Sequence, residues 1–164
     1  MRVLGIDPGT SITGWAVIEG DAARPRRVAS GILRLSSSVP LAVRLRRIHE
    51  TVKALVLEHR PVAVSLEKAF VAKNPQSAFR IGEARGAVMV AAAECGLEVF
   101  EYAPAEVKRT LVGYGRAEKA QIVRGVAMLF AIAEPGVADE ADALAVAACH
   151  LSGSRLRSLM ERAR

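Results

Sequence analysis

Runs of apolar residues with the character of strands fill the first part of the chain. The segments "RVLGID" and "TGWAVIE" are rich in β-branched and aliphatic residues, and a proline and a glycine between them predict a hairpin turn. The following segment "RRVASGILRL" predicts a third strand. Three strands in immediate succession predict an antiparallel meander.

Helical spacing replaces the strand pattern after residue 40. Apolar residues then recur at steps of three and four, which places them along one side of a helix. They are Leu41, Leu45, Ile48, Val52 and Leu55. Pro61 ends this helix, and the short apolar run "VAVSLE" predicts a strand that is buried on both faces of a parallel sheet and ends at Glu67.

The second half of the chain alternates between helices and one further strand. An alanine-rich helix is expected over 77–95 and is closed by Gly96, after which "LEVFE" predicts a fifth strand. Helices follow from Pro104, over "AEKAQIVRGVAMLFAI" and over "DEADALAVAACHL". The predicted order βββαβαβααα describes an α/β fold: a five-stranded mixed sheet, made of a three-strand antiparallel meander plus parallel strands, flanked by helices.

The length and composition of the chain indicate the number of domains and the cellular compartment. The 164 residues suffice for one domain with a sizeable core, so we expect a single domain over 1–164. The sequence contains no run of 18 apolar residues and no basic region that leads into an apolar stretch near its start. We therefore expect a cytoplasmic protein without a membrane partner. Only the segment from about 153 to 164 changes composition, to a basic C-terminal tail that is free to be mobile.

The charge balance gives a weak indication of the partner. The chain carries 23 Lys and Arg residues against 17 Asp and Glu residues, a formal charge of +6. This surplus favours a polyanion such as nucleic acid over an acidic protein surface. The cysteines, Cys95 and Cys149, show no spacing typical of metal ligands.

Four acidic residues stand where the predicted fold could bring them together. Asp7 ends the first strand and Glu67 ends the fourth, so they meet at one edge of the sheet if these strands are parallel neighbours. Asp139 and Asp142 are three residues apart and share one face at the start of a helix. Glu140 between them points roughly 100° away.

Each acid taken alone has an ordinary explanation. Asp139 could be a helix N-cap and Asp142 a first-turn acid favoured by the helix dipole. Asp7 could be a turn acid and Glu67 a solvated strand end. Gathered carboxylates repel one another, however, and a fold that gathers them usually offsets the repulsion with hard cations. Oxygen ligands without His or Cys nearby favour Mg²⁺ over zinc.

Four segments of the sequence together resemble the RuvC family of bacterial Holliday junction resolvases. They are "GIDPGTSITGWAVIE", "LEKAFVAKNPQSAFRIGEARG", "FEYAPAEVKRTLVGYGRAEKAQ" and "DEADALAVAACH". The resemblance spans nearly the whole chain, keeps the order of the segments and lacks none of the acids. It implies an RNase H-like fold, a homodimer, and Mg²⁺-dependent symmetric cutting of four-way DNA junctions that leaves 5′-phosphate ends.

The same resemblance assigns roles to single residues. The positions that match the family's catalytic, metal-binding acids are Asp7, Glu67, Asp139 and Asp142. Lys119 matches a catalytic, DNA-binding lysine near the scissile phosphate. Lys108 and Phe70 are candidates for DNA contact, and Phe70 would wedge between bases at the junction core. Solvent-facing lysines and a core phenylalanine are the alternatives. Two Mg²⁺ ions per site, for which Mn²⁺ could substitute, would activate the attacking water and stabilise the departing 3′ oxygen.

A pair of glycines indicates a close contact between helices. Gly82 and Gly86 lie one turn apart in the predicted second helix and would let another backbone approach closely. That neighbour could be the sheet or a second subunit, and the resemblance favours the partner helix of a homodimer. The resemblance also suggests a branch-migration motor of the RuvA and RuvB type as a partner, although no motif encodes that contact.

Two other functions stay open at this stage. A Gly-rich hairpin with Asp7 and Thr10 also cradles nucleotide phosphates in actin-like and sugar-kinase-like domains. Such proteins need a second comparable domain, which 164 residues do not supply. A non-catalytic nucleic-acid-binding module on the same fold is the other alternative, and it would lack the four acids.

Overall fold

Secondary structure follows the order that the sequence predicts. The computed structural model describes residues 1–68 and 75–162. The strands are β1 (Arg2–Asp7), β2 (Ile12–Glu19), β3 (Arg26–Arg34), β4 (Ala63–Glu67) and β5 (Glu98–Tyr102). The helices are α1 (Leu41–His59), α2 (Pro75–Glu94), α3 (Pro104–Val112), α4 (Lys119–Phe130) and α5 (Ala138–Arg162). The predicted order βββαβαβααα is confirmed.

The strands form one mixed sheet in the order β3-β2-β1-β4-β5. β2 is antiparallel to both β1 and β3, whereas β4 is parallel to both β1 and β5. The expected meander plus parallel strands is therefore confirmed, and the first and fourth strands are neighbours. Ile6 lies opposite Leu66 in the register, so the residues that follow them, Asp7 and Glu67, end their strands side by side.

Helices cover both faces of the sheet, and each face has its own apolar core. Successive residues of a strand point to opposite faces. In β1, Val3 packs in the core formed with α3, α4 and α5, whereas Leu4 and Ile6 pack in the core formed with α1 and α2. This burial on both sides explains why β1 and β4 read as continuous apolar runs in the sequence.

Glycines in two strands let α5 lie directly against the main chain of the sheet. A Cβ atom at Gly5 would collide with the carbonyl oxygen of Ala143, and a Cβ atom at Gly14 would collide with that of Asp139. Gly14 is the register partner of Asp7 in the β1–β2 ladder. The close contact therefore brings the first turn of α5 to the end of β1.

The helix ends agree with the sequence prediction in one place and differ in two. α1 ends at His59, with Arg60 in the left-handed region at φ 49°, just before the predicted stop at Pro61. α2 begins at Pro75 rather than Ser77, because a proline fits the first turn of a helix, where its missing N–H is not needed.

The last helix is longer than the sequence pattern indicates. α5 does not end at Leu151 but continues to Arg162, through a segment of leucines, arginines and a methionine, which are good helix formers. The mobility of the segment from about 153 to 164 stays a prediction. Among the described residues, no helix combines the length and the apolar character that crossing a bilayer requires.

Candidate active site

Three elements bring the four predicted acids to one edge of the sheet. Asp7 ends β1, Glu67 ends the parallel neighbour β4, and Asp139 and Asp142 lie in the first turns of α5, which packs against β1 and β2. The negative charges of the other three acids all raise the pKa of Asp7. The convergence expected from the parallel pairing of the first and fourth strands is therefore present in the fold.

The turn after Asp7 is held by contacts from two other elements. Thr13 Oγ1 donates a hydrogen bond to the carbonyl oxygen of Gly9 at 2.8 Å. Arg44 of α1 reaches across and donates from Nη1 to the carbonyl oxygen of Thr10 at 2.9 Å. Because two separate elements bind its main chain, this turn is fixed relative to the sheet, and so is the position of Asp7 at its start.

The start of α5 is tied to the far side of the meander. Ser30 Oγ in β3 donates a hydrogen bond to Glu140 Oε1 at 2.6 Å, and Arg27 Nη1 lies 3.9 Å from the same oxygen. Glu140 thus points away from Asp139 and Asp142, as the helical spacing predicts. Its contacts fix the rotation of the helix that presents those two acids.

Asp7 has the most perturbed electrostatics of the site. Burial raises the pKa of its carboxyl group first, and the charges of Asp142, Asp139 and Glu67 raise it further. Lys119 opposes these effects only in part, and the pKa of Asp7 rises from an ordinary value of 3.8 to about 7. The ionised form of Asp7 is therefore unfavourable here unless positive charge is added to the site.

Two of the other acids show the same tendency. Burial, followed by the charge of Asp142, raises the pKa of Glu67, although nearby cationic side chains oppose the shift. Burial also raises the pKa of Asp142, while Lys119 lowers it through its charge and a hydrogen bond. The site therefore holds more negative charge than its own cations balance.

Lys119 is in direct contact with one of the acids. Its Nζ lies 3.2 Å from Asp142 Oδ2, and 65% of its side chain remains exposed. Burial lowers the pKa of Lys119, but the charge and hydrogen bond of Asp142, with the charges of Asp139 and Asp7, outweigh this and raise the pKa overall. Lys119 therefore stays protonated, and its exposed ammonium group can reach an incoming anion.

Lys108 lies near the same acids but is held by the chain itself. Its Nζ donates a hydrogen bond to the carbonyl oxygen of Ala117 at 2.8 Å, in the loop between α3 and α4. Its charge lowers the pKa of both Glu67 and Asp142. Lys108 thus supports the loop that leads into Lys119 and adds positive potential to the acidic edge.

The four acids offer the ligands that a hard cation prefers, although their side chains are not yet close enough to one another to coordinate a single ion. Within 1–68 and 75–162, no three Asp, Glu, His or Cys side chains stand close enough to coordinate one ion. The four acids offer oxygen ligands alone, which is the donor chemistry of Mg²⁺ and Mn²⁺. Because several of these acids are partly buried and carry raised pKa values, a bound cation would relieve a repulsion that the protein itself leaves in place.

A groove opens beside the acids, toward α2. Its volume is about 780 Å³, and it is lined by the turn 9–12, by residues between 76 and 83 of α2, and by Asp139. The exposed ring of Phe79 stands at this groove. Phe70, the aromatic that the sequence places near the site, lies outside the described residues.

The glycine pair of α2 faces open space. Apart from the adjoining residues of α2 itself, no atom of the described residues lies within 4 Å of a Cβ built at Gly82 or Gly86. The sheet is therefore not the neighbour of these glycines. Phe79 and Val90 on the same side of the helix are 73% and 54% exposed.

One functional contact was not anticipated from the sequence. Arg85 of α2 is buried, and it donates hydrogen bonds from Nη1 to the carbonyl oxygen of Glu67 and from Nη2 to Glu101 Oε1. A signal was available, because helical spacing places Arg85 on the buried face of α2 with Ala84, Val88 and Ala92. A charged residue on an apolar face indicates a specific partner.

Comparisons with known proteins agree on one family. The family model "Crossover junction endodeoxyribonuclease RuvC" matches residues 3–150. A protein of that name from Alkalilimnicola ehrlichii is 46% identical over 162 residues, 99% of this chain and 98% of the relative. Another, from Geobacter sulfurreducens, is 43% identical over 160 residues, 98% of each chain. The structure of T. thermophilus RuvC in complex with Holliday junction substrate has a TM-score of 0.91 at 34% identity, covering 96% of this chain and 97% of that chain.

Proposed function

Because the chain belongs to the RuvC family of crossover junction endodeoxyribonucleases, we propose that it resolves four-way DNA junctions by hydrolysing two phosphodiester bonds symmetrically. Its fold is RNase H-like, as in the RuvC structure that binds a Holliday junction. The observation that carries the proposal is the edge of the sheet where Asp7, Glu67, Asp139 and Asp142 interact, with Lys119 bound to one of them.

The acids would hold the metal ions of the reaction. We assign Asp7, Glu67, Asp139 and Asp142 as ligands of Mg²⁺, with two ions per site and Mn²⁺ as a substitute. The chemistry that such ions supply when bound is activation of the attacking water and stabilisation of the departing 3′ oxygen, which leaves a 5′-phosphate. The protein's own contribution is to hold these carboxylates partly buried at one edge of the sheet, where their mutual repulsion favours the binding of cations.

Lys119 supplies a fixed positive charge beside the acids. Its exposed Nζ pairs with Asp142, and a phosphate that enters the site would share this ammonium group. Charge on the phosphate oxygens increases toward the transition state, so a cation that is already in place favours the transition state over the ground state. Lys119 is thus assigned a catalytic and DNA-binding role.

DNA contact is proposed for two further residues. Lys108 raises the positive potential at the acidic edge and holds the loop before Lys119, so it assists binding of phosphate through both effects. Phe70 is proposed to wedge between bases at the junction core, on the strength of its position three residues after Glu67 and the family resemblance. The groove between the turn 9–12 and α2 supports entry of the strand from this side.

The reaction requires a second copy of the chain. One set of acids cuts one strand, and symmetric resolution needs two sites related by a two-fold axis. The open side of α2, with Gly82, Gly86 and the exposed Phe79 and Val90, supports a homodimer in which two such helices pack together. A branch-migration motor of the RuvA and RuvB type is proposed as a further partner, from the family resemblance alone.

A synthetic four-way junction labelled on each strand tests the proposed function. With Mg²⁺, the protein should cut two opposite strands at equivalent positions, and DNA ligase should seal the products because their ends carry 5′-phosphates. EDTA should abolish the cuts without abolishing junction binding. Binding without cutting in Mg²⁺ and Mn²⁺ would instead indicate a non-catalytic nucleic-acid-binding module.

A further inference from the structure

Arg85 occupies an unusual place for an arginine. Only 7% of the residue is exposed, and its side chain leaves α2 toward the ends of two parallel strands. One nitrogen donates to the main-chain oxygen of Glu67, the last residue of β4. The other donates to the carboxylate of Glu101, near the end of β5.

Stability alone does not explain this arrangement. Glu101 is exposed, but the guanidinium of Arg85 is buried, and taking a charge out of water is so costly that apolar residues of similar volume often stabilise a protein equally well. The neighbours of Arg85 on the buried side of α2 are alanines and valine, which shows that this face packs without charges. The presence of Arg85 on this face is therefore better explained by the groups that its contacts hold in place.

What they hold is the residue that carries one of the four acids. β4 ends at Glu67, and Arg85 donates to the main-chain oxygen of this last strand residue. The next residue, Lys68, donates its main-chain N–H to the carbonyl oxygen of Tyr102 in β5, so the main chain of Glu67 is held between this bond and Arg85. We infer that Arg85 is a positioning residue of the proposed nuclease site, which fixes the main chain at Glu67 and so aims that side chain at Asp7 and the metal ions.

A carboxylate whose main chain is fixed is a better metal ligand than one that is free to turn, because groups that orient a ligand raise the affinity for the metal. The inference rests on the proposed function, since it deepens the role of Glu67.

A structural ion pair and a positioning residue predict different results for one double variant. Arg85→Met with Glu101→Leu replaces both charges by apolar groups, which should keep the fold, because no buried charge is left without a partner. If Arg85 only packs α2 against the sheet, this variant binds metal normally. If Arg85 aims Glu67, metal affinity falls although the protein is folded.

The primary measurement is Mn²⁺ binding to the free protein, followed by the electron paramagnetic resonance signal of unbound Mn²⁺. We expect about tenfold weaker binding in the double variant, the loss typical when a group that orients a metal ligand is removed. The Mg²⁺ concentration for half-maximal junction cutting should rise by a similar factor. The dissociation constant for the junction in Ca²⁺ should stay within about twofold, because no DNA-contacting group is changed.

Two further variants keep the test decisive. Arg85→Lys keeps the charge and one bond, so it should recover part of the Mn²⁺ affinity, and it can be measured even if the double variant does not fold. Glu94→Gln is the matched control, because it breaks the exposed pair between α2 and Lys53 of α1, far from the acids, and should bind Mn²⁺ like wild type.

The outcomes separate this inference from the proposed function. If the wild type binds Mn²⁺ and cuts junctions while the double variant and Arg85→Lys bind Mn²⁺ with unchanged affinity, Arg85 is only structural and the inference is wrong. If the wild type itself neither binds Mn²⁺ nor cuts junctions, the proposed function fails, whatever the variants do.

Discussion

The two ends of β1 each lie beside a carboxylate, and the surroundings of the two carboxylates differ. At the beginning of β1, Glu19 accepts hydrogen bonds from Arg2 and Arg26, and these bonds lower its pKa. At the end of β1, burial and the acids Asp142, Asp139 and Glu67 raise the pKa of Asp7 to about 7. At one end two arginines compensate the charge of a glutamate, and at the other end repulsion between like charges remains.

This contrast separates a structural group of charges, around Glu19, from the proposed functional group of charges, around Asp7, within one sheet. An exposed pair such as that of Glu19 contributes little to stability, and its loss would be tolerated. Buried acids that raise one another's pKa lower the stability of the metal-free fold, and such groups are typical of functional sites. A test at Asp7 therefore has a natural control at Glu19, on the same sheet.

The largest expected effect is on cutting. Asp7→Asn or Glu67→Gln should slow resolution of a four-way junction by about 100-fold or more, the scale of losing a main electrostatic group of a catalytic site. Junction binding should persist, because removing negative charge does not weaken attraction to phosphate. Glu19→Gln should cut like wild type. Near wild-type cutting by both Asp7→Asn and Glu67→Gln would contradict the assignment of these acids to the active site.

The next effect is on stability in EDTA as a function of pH. Because the pKa of Asp7 in the folded state lies above its ordinary value of 3.8, the folded protein binds more protons between about pH 4 and pH 7. Its free energy of unfolding should therefore fall as pH rises through this window, by on the order of 4 kcal/mol for a shift of about three units.

Urea unfolding at several pH values tests whether the free energy of unfolding falls as pH rises. Asp7→Asn should remove most of the decrease and be more stable than wild type near pH 8, whereas Glu19→Gln should retain the decrease. The lowered pKa of Glu19 acts in the opposite sense, since its small stabilisation is present at high pH and is lost on acidification. A wild type whose stability rises steadily from pH 4 to pH 7 would contradict the electrostatics proposed for Asp7.

Added metal should restore the folding stability that the ionised acids cost the metal-free protein. A cation that binds only the folded state stabilises it by about 2.7 kcal/mol when its concentration is 100 times the dissociation constant. Differential scanning calorimetry should therefore show a higher Tm with Mg²⁺ or Mn²⁺. The increase should be much smaller in Asp7→Asn and unchanged in Glu19→Gln, and an undiminished increase in Asp7→Asn would argue against Asp7 as a ligand.

The smallest effect is expected for the cations. Lys119→Ala should slow cutting on the order of tenfold, as for loss of one partly solvated charge-assisted contact, and should weaken junction binding less. Arg26→Gln, at the opposite end of the sheet, should change neither rate nor binding by more than about twofold. Equal losses of binding and cutting in Lys119→Ala would make it a DNA-binding residue only.

The sequence was sufficient for the parts that depend on local pattern. Strand and helix order follow from apolar spacing, and the meeting of Asp7 with Glu67 follows once their strands are parallel neighbours. Roles for Lys119 and Phe70 came from resemblance, and Phe70 lies outside the described residues. The open side of α2 could not be inferred from Gly82 and Gly86 alone, because small residues suit contacts with either the sheet or another subunit.

The features that the sequence does not predict depend mainly on contacts between residues that are distant in sequence. Helical spacing places Arg85 on the buried face of α2, but its bonds to Glu67 and Glu101 depend on tertiary geometry that the spacing does not specify. α5 is longer than predicted because Gly153 and the change in composition indicate a helix end, whereas the leucines and arginines that follow favour helix.

The contact of α5 with Gly5 and Gly14 has a consequence for which substitutions the protein can accept. Elsewhere in the core, a changed side chain can be accommodated by other rotamers of its neighbours. At these two glycines the neighbour is a main-chain carbonyl of α5, so even one methyl group would displace the helix that carries Asp139 and Asp142. In a library of random single substitutions selected for junction resolution, Gly5 and Gly14 should be as intolerant as the acids themselves, although neither carries a functional group.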